Sequence, residues 1–178
     1  MTIPVMVAGA VGAALVGGLA LTGCAGVADP SGPGAGAPGV ATAQFPLDFT
    51  AATVSGTPFD GADSAGRPVV LWFWAPWCTV CRAEAPEVAM VADELEGRVD
   101  FLGVAGRGPL DDMARFVDQT STGRFEHLAD VDGALWRRFE AVAQPTFVFV
   151  APSGATSTFA GSLGADELRE RALDLEEQ

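Results

Sequence analysis

The sequence predicts an α/β fold, a mixed central sheet with helices on both faces. Three observations predict it. Val69–Trp74, Val99–Ala105 and Thr146–Val150 are short apolar runs bounded by turn residues, the pattern of strands buried on both faces. Between the first two runs, and after the second, apolar residues recur at helical spacing. The last run leads through Pro152-Ser153-Gly154 into Ser157–Ala160, which reads as a turn and an antiparallel return strand. The order of these strands, with helices between the first three and after the last, makes a mixed sheet.

At the N-terminus, Val5 to Leu21 is apolar, Gly-rich and uncharged, and too short for a confident spanning helix. It reads as the hydrophobic region of an export signal. Leu21-Thr22-Gly23-Cys24 closes it and resembles a bacterial lipobox, which implies cleavage before Cys24 and lipidation of that cysteine. No Lys or Arg precedes the apolar region, so the N-terminal amine alone supplies positive charge. The alternative is a non-lipidated signal with an incidental cysteine. Residues 24–43 are rich in Gly, Ala and Pro and cannot bury a core. They read as a tether with a mean reach of roughly 25 Å. The expected organisation is a signal (1–23), a tether (24–43) and one domain (44–178).

Within the domain, Phe45 to Phe59 is a candidate first strand region, with Leu47, Phe49, Ala51 and Thr53 alternating. Residues 61–68 are turn chemistry and lead into Val69–Trp74. A helix follows from Thr79 to Leu95, with Pro86 inside it expected to kink it. After Val99–Ala105, a helix is expected over Leu110–Thr120, with Asp111 and Asp112 in its first turn. A further helix is expected over Asp130–Val142, with Leu135, Trp136 and Phe139 on one face. The last spans Asp166–Glu176, with Asp166 as its cap.

The chemistry concentrates in Trp77-Cys78-Thr79-Val80-Cys81. Cys78 falls where a strand gives way to a helix. Unpaired N–H groups and the helix dipole there stabilise a negative charge, so Cys78 should have a lowered pKa and be the attacking sulfur. Cys81 lies one turn on and can close a disulfide with it. Thr79 and Val80 sit in the first turn, where they tune the thiolate.

Charge narrows the partners. The chain carries 23 acidic residues against 10 Arg and no Lys, a formal net charge of −13. The absence of a basic patch argues against nucleic acid and against electrostatic docking on anionic lipid. With one histidine and three cysteines, a zinc site lacks ligands and no metal is expected. His127 is expected in a loop or at a strand end, Trp72 and Trp136 in the core, and Arg82 on the surface.

Three separated features together resemble the thioredoxin superfamily over roughly Phe45 to Leu175. These are Trp74-Ala75-Pro76-Trp77-Cys78-Thr79-Val80-Cys81, Pro86 five residues after Cys81, and Gln144-Pro145-Thr146 before a strand. Within the superfamily the chain is similar to exported TlpA/ResA-like reductases and actinobacterial DsbE/DsbF-like proteins. The resemblance implies a thioredoxin-like fold and thiol–disulfide exchange without a cofactor. It implies Cys78 as nucleophile, Cys81 as resolving cysteine, and Pro145 in a cis bond facing the disulfide. Trp77, Gln144 and Thr146 would line the substrate groove, with apolar packing the other role open to Trp77. Glu84, three residues after Cys81, matches an acid of the ResA-like reductases that can move a proton for the buried thiol; the other reading is a solvated helix residue. A peroxidatic pattern would need Ser or Thr where Ala75 stands, and haem attachment a His where Arg82 stands.

The expected protein is an exported, lipid-anchored monomer. It would act on cysteine-containing exported polypeptides and be reset by a membrane redox partner. Oxidation of substrate thiols is the favoured direction. The alternatives are a disulfide reductase of the ResA/CcmG type in cytochrome c maturation and a non-catalytic binding or chaperone module.

Overall fold

The computed structural model describes residues 45–178; the expectations for the signal (1–23), Cys24 and the tether lie outside them. The main sheet has five strands in the order β5-β4-β3-β6-β7. These are β3 (Val69–Trp74), β4 (Asp100–Gly106), β5 (Glu126–Asp130), β6 (Thr146–Val150) and β7 (Thr156–Ala160). β3, β4 and β5 run parallel, while β6 and β7 are antiparallel additions. A separate hairpin pairs β1 (Thr50–Ala52) with β2 (Pro58–Asp60). The helices are α1 (Thr79–Glu94), α2 (Leu110–Thr120), α3 (Ala134–Arg138) and α4 (Ala165–Leu173).

All six residues of β3 are buried, because the strand is central and covered on both faces. The pleat divides them. Val70, Trp72 and Trp74 join a core built with α1, α2 and α4. Val69, Leu71 and Phe73 join a second core with Leu47, Leu135 and Trp136, which the β1–β2 hairpin also covers. Burial of each large side chain is worth about 1.5–3 kcal/mol, so the strand is the main anchor of both layers. In register, Trp74 pairs with Ala105 and Phe73 with Thr146. The ends of β3 and β4 and the start of β6 therefore share one sheet edge.

Three expectations are corrected and one strand is added. The region Phe45–Phe59 is not one strand: a turn at Ser55-Gly56 folds it into the hairpin, with Gly56 at φ 84° and Thr53 Oγ1 accepting from the Thr57 N–H at 2.9 Å. Glu126–Asp130 is a strand, β5, although it lacks β-branched residues; its pairing with β4 outweighs its weak propensity. The helix expected over Asp130–Val142 shrinks to α3. Asp130 ends β5, and its buried carboxylate accepts from the Leu135 and Trp136 N–H groups at 3.1 and 2.8 Å, outside the helix it serves. The last helix is capped by Gly164, not Asp166. The Glu87 carboxylate of α1 accepts from the Ala165 N–H at 2.9 Å, so part of the capping comes from another helix. α1 continues through Pro86.

His127 is a buried residue of β5. Its Nδ1 accepts from Trp74 Nε1–H at 3.2 Å, which leaves Nε2–H to donate to the Thr122 carbonyl at 3.0 Å. Burial lowers its pKa to about 4. Above pH 6.5 the ring is neutral folded or unfolded. Below it the unfolded chain takes the proton first, so stability falls as pH drops from 6.5 towards 4. The shift corresponds to roughly 3 kcal/mol. Urea unfolding across that window should show the loss in the wild type, and His127→Gln should flatten it.

Candidate active site

β3 ends at the sheet edge and hands the chain to Ala75-Pro76-Trp77-Cys78. The Cys78 N–H donates to the Ala75 carbonyl at 3.0 Å, which closes the turn into α1. Cys78 is the N-cap of α1, and its Sγ accepts from the Cys81 N–H at 3.0 Å. The two cysteines form a disulfide, with Cα atoms 5.3 Å apart. Cys78 is 6% exposed and Cys81 fully buried, so one sulfur faces outward and the other inward. Once the disulfide opens, the N–H at Cys78 Sγ and the helix dipole stabilise a thiolate at that position.

The Gln144–Pro145 bond is cis. The register brings Pro145, just before β6, to the edge where β3 delivers Cys78. The Pro145 carbonyl accepts from the Gly161 N–H at 2.9 Å, which fixes the loop to β7. Gln144 is half-buried beside it. Thr146 differs: it is buried, and its hydroxyl donates to the Ala143 carbonyl at 2.9 Å. Its side chain braces the loop from within. Trp77 is 60% exposed, and Val80 and Val142 are also exposed, the latter by 82%. Trp77 and Val80 adjoin the two cysteines in the chain, so apolar surface stays exposed next to the disulfide.

Glu84 lies one turn beyond Cys81 and is buried. Its Oε1 accepts from Trp72 Nε1–H at 2.8 Å and its Oε2 from the Ser162 hydroxyl at 2.5 Å. Burial raises its pKa above the usual carboxylate range, while the Ser162, Trp72 and Leu163 hydrogen bonds pull it back. The solvated reading of Glu84 is therefore wrong. Arg82 is exposed as expected, but it is not idle: its guanidinium donates to the Pro76 carbonyl at 3.2 Å and to Gln119 at 3.0 Å.

Sequence reasoning missed Arg107. Its carbonyl accepts from Trp77 Nε1–H at 2.8 Å, and its guanidinium donates to Gln144 Oε1 and to the Val142 carbonyl, each at 2.8 Å. The available signal was the Gly106-Arg107-Gly108 triplet at a strand end. An open groove of about 660 Å³ adjoins it, lined by Arg107, Trp136, Arg137 and Val142 among others.

The AhpC/TSA family matches residues 42–156, well over half of the chain. The chain belongs to the AhpC/TSA family. It is 43% identical over 145 residues to the soluble secreted antigen MPT53 of Mycobacterium tuberculosis, covering 79% of this chain and 82% of that protein. Among solved structures, MTB dsbF superposes with a TM-score of 0.71 at 42% identity, covering 73% of this chain and 96% of that one. A secreted M. tuberculosis disulfide oxidoreductase homologous to E. coli DsbE gives 0.69 at 41%, covering 74% and 99%. These neighbours share the thioredoxin-like arrangement of this AhpC/TSA chain. Its paired cysteines at a helix N-terminus can carry out dithiol–disulfide exchange.

The difference in burial between the two sulfurs has a measurable consequence. After reduction, limited iodoacetamide should alkylate Cys78 at least about tenfold faster than Cys81, read by peptide mass mapping at neutral pH. Equal labelling would contradict the inward placement of Cys81.

Proposed function

We propose that the protein is an extracytoplasmic thiol–disulfide oxidoreductase that passes its Cys78–Cys81 disulfide to cysteines of exported polypeptides. The observation that carries this reading is the disulfide itself, with Cys78 outermost at the N-terminus of α1 and Pro145 at the same sheet edge. The kinship with a secreted disulfide oxidoreductase and with dsbF supports both the chemistry and export.

A substrate thiolate attacks Cys78 Sγ. The Cys78–Cys81 bond breaks and Cys81 leaves as a thiolate, which takes a proton. A second substrate thiolate then attacks the substrate sulfur of the mixed disulfide. Cys78 leaves as a thiolate, and the substrate keeps the disulfide. Two substrate thiols are oxidised, and one protein disulfide becomes a dithiol. Glu84 serves as the proton store for Cys81, since a carboxyl with a raised pKa can hold a proton nearer neutral pH. Trp77 and Gln144 border the incoming chain, and Pro145 shapes the loop that meets it. A membrane redox partner then reoxidises the pair. Residues 1–23 act as the export signal, Cys24 as the lipid anchor and 24–43 as the tether of a monomeric domain spanning 44–178.

Glu84 also favours a second reading, reduction of substrate disulfides as in ResA-like proteins. The reduction potential separates the two. Thioredoxin lies at about −270 mV and DsbA near −120 mV. A potential above roughly −200 mV is expected for disulfide donation, whereas one near or below about −270 mV would replace it by the reductase reading. Cys81→Ser should trap substrate on Cys78 as a mixed disulfide, and Cys78→Ser should trap none. Glu84→Gln should slow release of reduced protein by on the order of 10²-fold and remove the carboxyl limb of the pH–rate profile. Lipidation is checked by intact mass: mature protein starting at an unmodified Cys24 would remove the anchor from this proposal.

A further inference from the structure

We propose that Arg107 is a positioning residue for polypeptide substrates, holding the two walls of the cleft beside Cys78 at a set separation. This rests on the exchange activity proposed above. One wall is the Trp77 loop and the other is the segment Val142–Pro145. Arg107 is joined to both through different parts of the same residue. Its backbone carbonyl receives the Trp77 indole N–H at 2.8 Å. Its guanidinium donates one arm to Gln144 Oε1 and the other to the Val142 carbonyl, both at 2.8 Å.

The support beneath it is rigid. The guanidinium lies over the Trp136 ring, 4.4 Å from its centroid. Trp136 is buried and donates through Nε1 to the Val104 carbonyl at 3.3 Å. The backbone is also constrained. A Cβ at Gly106 would sit 2.3 Å from Trp136 Nε1, and one at Gly108 would sit 2.5 Å from Pro76 Cγ. The chain thus threads between Trp136 and the active-site loop, where its neighbours cannot carry side chains. Arg107 itself takes φ 56°, a left-handed conformation rare outside glycine. A non-glycine residue held there against its preference is the kind of local strain that collects at functional sites.

Charge points the same way. Among the described residues, the ion pairs engage Arg67, Arg98, Arg115, Arg124, Arg169 and Arg171, and leave Arg107 outside them together with Arg82, Arg137 and Arg138. In an acidic chain this guanidinium is committed to neutral acceptors on the cleft wall. The planar fork suits two divergent acceptors and an aromatic face at once, which an ammonium cannot reproduce.

The test uses Arg107→Gly, which accepts the left-handed backbone and removes only the side chain, with Arg107→Lys beside it. Exchange is followed with two partners, dithiothreitol and a short single-cysteine peptide. In single-turnover reduction of the oxidised protein by excess peptide, KM is the half-saturating peptide concentration and kcat the limiting rate. There KM should rise about tenfold for Arg107→Gly while kcat stays within about twofold. Dithiothreitol exchange should stay at the wild-type rate, because the small dithiol does not span the two walls. Arg107→Lys should resemble the glycine variant. An unchanged peptide KM, a parallel fall in the dithiothreitol rate, or full rescue by Lys would each overturn the assignment. A wild-type protein that exchanges with dithiothreitol but with no peptide would instead remove the proposed function, and this role with it.

Discussion

The burial of β3 on both faces is the constraint on which the rest of the molecule depends. Its six residues send Val70, Trp72 and Trp74 into one layer and Val69, Leu71 and Phe73 into the other. A strand so placed cannot slip by one residue without exchanging the two sets. Its register with β4 and β6 is thereby locked, and so is the point at which the chain leaves the sheet. That point is followed by Cys78. The position of the outer sulfur is therefore an outcome of core packing, and the helix N-terminus then supplies its electrostatics.

Among the described residues, no buried side-chain polar atom around this frame lacks a hydrogen-bond partner. Glu84 finds Trp72 and Ser162, His127 finds Trp74 and Thr122, and Asp130 finds two N–H groups of α3. The Trp72–Glu84, Trp74–His127 and Ser162–Glu84 bonds link different elements across 12, 53 and 78 residues, and the others span five or six. An unpaired group at any of these places would cost about 1–3 kcal/mol. Two of these contacts use the indole N–H groups of β3 itself, so the strand that anchors the apolar cores also anchors the polar ones. The outer side of the site follows a different logic. Trp77, Val80 and Val142 stay exposed, and Arg82 and Arg107 brace the loop they flank.

Which features could be read in advance follows from the range of the forces behind them. β3, β4 and β6 were legible because a fully buried strand writes itself as a continuous apolar run. The cysteine pair was legible because its chemistry needs a three-residue spacing on one helix turn. β5 was not, since Glu126-His127-Leu128-Ala129-Asp130 has no strand signature and is held by pairing with β4. The extent of α3 was not, because Asp130 serves the helix from outside it. Glu84 was left open between solvent and site, and only the burial under Ser162 and Trp72 decides it.

The sequence by itself determined the fold class, the redox pair, which cysteine begins the helix, and the acidic character that disfavours nucleic acid. Those properties live in local spacing and composition, where neighbours along the chain set the physics. Tertiary structure alone decided how Glu84 is buried and that Arg107 joins Trp77 to Gln144 across 30 and 37 residues of sequence. Such contacts depend on where two strand ends meet, and no pattern within a short window of residues encodes that meeting.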